Sequence, residues 1–75
     1  MEELKRVVQI AVEHGPFKTL GELEGMYFIE DAAGLYKEGD IHKRIYAELE
    51  RCIPEWEKQY GFDRNTALSD LLKIL

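Results

Sequence analysis

TLGELEGMYFIEDAAGLYKEG, residues 19–39, separates an all-helical chain from a mixed one. Thr19 followed three residues later by Glu22 makes a capping box, in which hydroxyl and carboxylate accept from N–H groups that a starting helix leaves free. Leu20, Leu23 and Tyr27, then Met26, Ile29, Ala33 and Tyr36, continue at helical spacing and predict a helix from about Leu20 to Lys37. Against this, Gly21, Gly25 and Gly34 each weaken a helix by ~1 kcal/mol relative to alanine, and Met26-Tyr27-Phe28-Ile29 suits a strand. The competing arrangement is a hairpin of Met26–Glu30 and Leu35–Glu38 turning at Asp31-Ala32-Ala33-Gly34, which would make the chain α+β with a hairpin at about 26–38. We read the stretch as helix.

Upstream, Glu2 to His14 carries Leu4, Val7, Val8, Ala11 and Val12 on one face, with carboxylates in the first turn where the helix dipole favours them. Gly15-Pro16 ends that helix, since glycine accepts the left-handed stop and proline cannot continue the hydrogen-bond ladder. Downstream, Gly39 closes the quoted stretch and Asp40 caps the next segment. There an apolar stripe of Ile41, Ile45, Leu49, Ile53, Trp56 and Tyr60 runs straight through Pro54. Proline removes the bond to the Glu50 carbonyl, so the expectation is one helix to about Cys52 and a short one with Pro54 in its first turn. Gly61 is the stop, Asp63 the next cap, and Leu68, Leu71, Leu72 and Leu75 form the stripe of a last helix. The fold class expected is all-α: a small bundle of four to five short helices in a single domain, 1–75.

The 75 residues leave only a thin core, about 60% of the unfolded surface being buried at this size. Hydrophobic residues at 45% with charged residues at 33% exclude a disordered chain. A single cysteine, Cys52, excludes an internal disulfide and fits a reducing compartment. The acidic start Met1-Glu2-Glu3, with no cleavable apolar region and no run near membrane-spanning length, points to a cytoplasmic protein, intact as written. One Asn, two Gln, one Ser and two Thr stand against twenty-five charged residues, a bias that resembles proteins of thermophilic source.

The net charge of −5 resides in one interval. Six acids and one base lie between Glu22 and Asp40, whereas the rest of the chain carries nine of each. On a helix, Glu24, Asp31 and Glu38 fall seven residues apart and so on nearly one side, about 10.5 Å from one to the next. With Phe28 beside them they form a candidate partner-binding row for a basic surface. The plain alternative is a solvated face that keeps an acidic protein in solution. His42, Lys43 and Arg44 open the third helix, where backbone amides plus cations form a candidate anion site. Neutralisation within the fold by Glu38, Asp40 and Glu48 is the preferred reading there.

Motifs for chemistry are lacking. His14 and His42 have no partners at metal-ligand spacing, Ser69 lies outside any nucleophile elbow, and the glycines make no phosphate loop, so neither metal, cofactor nor catalysis is expected. Cys52 reads as a buried structural thiol. Trp56, Tyr60 and Phe62 read as core, while Tyr27, Phe28, Tyr36 and Tyr46 add aromatic area beyond what a small monomer hides, in favour of a homo-oligomer or a bound partner. The function expected is a small acidic, non-catalytic interaction protein that binds a macromolecule with a basic surface. The alternative is a helix-turn-helix-like nucleic-acid-binding regulator presenting His42-Lys43-Arg44, which the acidic balance opposes.

Overall fold

In the computed structural model, which describes residues 2–75, four helices follow one another: α1 (Glu2–Glu13), α2 (Leu20–Ala32), α3 (Ile41–Tyr60) and α4 (Leu68–Ile74). α1 lies against α4 and α3, and α2 lies against α3. Each contributes one apolar face to a common core: Leu4, Val8 and Ala11, then Leu20, Leu23 and Tyr27, then Ile45, Leu49, Cys52 and Trp56, then Leu68 and Leu71. Among the described residues no polar or charged side chain is buried, so the core is held by apolar burial alone. Among them also, no helix is long and apolar enough to cross a membrane.

Residues 26–32 are helical, so the hairpin alternative is overturned, but the helix stops five residues short of the expected Lys37. Gly34 is the cause. It adopts φ +71°, the left-handed region, and its N–H donates to the Asp31 carbonyl while the Leu35 N–H donates to that of Glu30, closing the helix end in a Schellman turn. Glu38 therefore falls outside α2, and a row of three acids along one helix does not form.

The break expected at Pro54 is also absent: α3 runs unbroken for 20 residues. Ile45, Leu49, Cys52 and Trp56 lie on one side, and Pro54, nine residues after Ile45, lies on the opposite one. Glu50 and Pro54 are both exposed, so water can satisfy the carbonyl that proline leaves free. Burial on both sides of residue 54 outweighs the local loss. The ends of the expected stripe, Ile41 and Tyr60, are exposed, and Cys52 takes a place in it.

The third correction concerns α4. Its N-cap is Ala67, not Asp63, and Ala67 supplies no side-chain cap. Asp63 instead shapes the preceding turn, accepting from the Asn65 N–H at 2.8 Å. The missing caps come from another element. Leu68 N–H donates to the Lys18 carbonyl, while Leu20 and Gly21 N–H donate to the carbonyls of Thr66 and Arg64, at 2.9–3.0 Å. The starts of α2 and α4 thus satisfy each other's free N–H groups through an isolated antiparallel bridge, Thr19 to Ala67. Gly21 is required by this closeness, because a Cβ there would sit 2.8 Å from the Arg64 Cβ and 2.9 Å from its carbonyl oxygen.

Candidate protein-docking face

α2 distributes polarity in an unusual way. Leu20, Leu23 and Tyr27 point inward, and at 3.6 residues per turn the side turned furthest from them holds Gly21, Glu22, Gly25, Ile29 and Ala32, flanked by Phe28 and Met26. Helices on the surface of a globule normally turn charged residues to water. Here Ile29 is 67% exposed, Phe28 59% and, just past the helix end, Leu35 64%, the three most exposed large apolar groups described.

Glu22 is the one acid on that side, and the other acids lie toward the borders of the helix. Glu24 meets Arg64 of the loop before α4 at 3.6 Å, and Asp31 meets Lys43 of α3 at 3.6 Å. Of the residues expected to form a partner-binding row, Glu24, Phe28 and Asp31 share the edge of α2 that faces α3, whereas Glu38 sits apart on the Gly39 turn. Phe28 and Glu24 line a shallow cleft with Tyr46 and Pro54.

On the other edge runs an open groove of about 600 Å³. Phe17, Met26, Ile29 and Gly25 line it, and a Cβ added at Gly25 would meet no atom within 4 Å. Only two polar residues line it, both acids: Glu22, whose carboxylate also accepts from the Lys18 N–H at 2.9 Å, and Glu30, which accepts from the Tyr36 hydroxyl. Eight residues apart on one helix, they lie about 12 Å from each other along its axis.

Behind Glu30 stands an aromatic cluster. Tyr36 stacks on His42 with centroids 5.7 Å apart, and Tyr27 lies 6.0 Å from both rings. Burial, then the bond to Glu30, pushes the Tyr36 hydroxyl well up, so it stays a proton donor and pins the 35–39 segment to α2. Tyr46 is pushed up to about 12, chiefly by its 2.7 Å bond to Glu50.

The candidate anion site is engaged internally. Asp40 accepts from the His42 N–H at 2.9 Å, Lys43 pairs with Asp31, and Arg44 reaches Glu3 of α1 at 3.0 Å. Two of these partners, Asp31 and Glu3, differ from those the sequence suggested. Burial raises the Cys52 thiol, which keeps it protonated near neutrality and unsuited to nucleophilic attack.

Gly25, Met26, Ile29, Glu22 and Glu30 were not singled out by sequence reasoning as a site. The signal was present: Leu20-Leu23-Tyr27 and Met26-Ile29-Ala33 are two stripes on different sides of one helix, and a bundle of this size buries one. No family model, no curated protein and no solved structure matches this chain.

Proposed function

We propose that this protein is a small, non-catalytic docking module that recognises a protein partner with a basic surface through the outer side of α2. The observation that supports this reading most is the large apolar surface on the outer side of that helix. Phe28 and Ile29, with Leu35 just past the helix end, face water while the carboxylates Glu24 and Asp31 are engaged at the helix borders. A patch of this kind costs solubility and adds nothing to the core, which is the pattern of a surface covered by a partner. The carboxylates that line the groove, Glu22 and Glu30, give the face its sign and favour encounter with cationic surfaces.

The test is retention of partners from the native host's lysate on immobilised protein, compared with Ile29→Asp. Ile29 is exposed, so the substitution leaves the core intact. Retained protein should disappear with the variant and weaken as salt approaches molar concentration. Equal retention by both forms overturns the reading.

A further inference from the structure

We propose that the groove over Gly25 receives one amphipathic helix of the partner, with an apolar side chain seated on the glycine and Lys or Arg residues two turns apart on Glu22 and Glu30. This rests on the docking reading above and names its occupant. Gly25 is the starting point because the fold gives no reason for it. Gly34, Gly39 and Gly61 have positive φ, Gly15 lies 2.8 Å from the Ala11 Cα as a Cβ would see it, and Gly21 abuts Arg64. Gly25 alone has open space above it in the interior of a helix, where glycine is a poor choice. What its missing side chain leaves is open space beside Met26 and Ile29, where a neighbouring side chain can rest against the backbone of α2.

The choice of a helix follows from what α2 can offer. Its backbone groups are engaged within the helix, and among the described residues there is no strand whose edge a peptide could extend, so recognition has to run through side chains. A partner helix carrying an apolar residue at position i and cations at i−4 and i+4 places all three on one face, the cations about 12 Å apart. That equals the axial separation of Glu22 and Glu30. A second copy of this chain is disfavoured by the same groups: in an antiparallel crossing centred on Met26, Glu22 of one copy faces Glu30 of the other, and in a parallel one each acid faces itself. No cation lines the groove to relieve this.

The experiment is a titration of isotope-labelled protein, followed through its backbone amide resonances, with an alanine-rich helical peptide of about 16 residues, long enough to hold a helix. It carries a central leucine with lysine four residues before and after. Shifts should concentrate at Gly25, Met26 and Ile29, and affinity should fall roughly tenfold or more, about 1.4 kcal/mol, when both lysines become glutamate. Gly25→Leu should abolish the shifts while leaving the remaining amide spectrum in place. Should that variant misfold, the lysine-to-glutamate peptide still decides. Equal binding of the two peptides, or shifts elsewhere at millimolar peptide, overturns the proposal. Concentration-dependent shifts at Gly25 without peptide also overturn it, in favour of self-association. Loss of lysate retention with Ile29→Asp, together with silence toward the peptide, would spare the docking reading and remove only this occupant.

Discussion

The same substitution at two glycines of α2, four residues apart, should change stability in opposite directions. Gly25→Ala adds a methyl group where nothing lies within 4 Å and φ is helical. No contact is lost, and the gain is the lower conformational entropy of the unfolded chain plus the better helix propensity of alanine, about 0.8–1 kcal/mol. For a domain of this size that is a rise in Tm of roughly 4–8 °C. Gly21→Ala receives the same propensity gain, but its Cβ would lie 2.8 Å from the Arg64 Cβ and 2.9 Å from the Arg64 carbonyl oxygen. The loop must withdraw, and the 3.0 Å bond from Gly21 N–H to that oxygen goes with it. Losing a backbone bond at a helix start costs about 0.5–1.5 kcal/mol, and displacing backbone adds overpacking strain of about 1–3 kcal/mol. The net expectation is destabilisation by about 1–3 kcal/mol. Thermal and urea unfolding followed by circular dichroism reads both. If Gly25→Ala lowers Tm, α2 is not the open-faced helix described; if Gly21→Ala raises it, the closeness of the 64–66 loop to α2 is wrong.

Pro54→Ala restores a donor for the Glu50 carbonyl on the exposed side of a continuous helix and should stabilise by about 1–3 kcal/mol, less whatever proline saves in the unfolded chain; a lower urea midpoint would mean that the packing of Leu49 and Trp56 depends on the proline. Leu49→Ala, at a position with no exposure, should cost about 2–5 kcal/mol, enough to unfold much of a domain this small; dispersed amide resonances at full intensity would contradict it. Tyr46 should ionise at about pH 12, and Tyr46→Phe should remove that component from an ultraviolet pH titration. Because its folded value is raised, the bond to Glu50 contributes below the ordinary tyrosine range near pH 10 and is lost as pH rises toward 12. A variant indistinguishable from the parent in alkaline titration would refute this.

What could be read from the sequence was whatever depends on neighbours along the chain. The Thr19–Glu22 cap forms, with Glu22 N–H donating to the Thr19 hydroxyl, although the carboxylate reaches back to Lys18 rather than to Thr19 itself. Asp40 caps α3, Gly61 stops it with φ +71°, and Cys52 is buried. What failed depends on which side faces inward. Pro54 breaks a helix in isolation, but here it lies opposite the buried stripe, a fact visible only once Ile45, Leu49, Cys52 and Trp56 are known to point the same way. Asp63 resembles a cap, yet the start of α4 is satisfied by the Lys18 carbonyl, contributed from 50 residues upstream.

The largest gap concerns α2, and its cause is physical. The sequence places an acidic row with Phe28 on the exposed side of α2, whereas Met26 and Ile29 fall at core-like helical spacing, as on most surface helices. α2 presents two apolar sides, and periodicity alone assigns neither of them to the interior. The choice is made by Leu68 N–H on Lys18 and by the packing of Tyr27 near Tyr36 and His42, which turn Leu20, Leu23 and Tyr27 inward. Once they are buried, Phe28 and Ile29 have no place left in a core this thin, and Met26 packs only against its rim. Glu24 and Asp31 are then drawn to the cations at the helix borders, and the groove is lined in part by the one glycine that nothing in the fold requires. The polarity of the outer side of α2 is therefore a consequence of how its neighbours are placed.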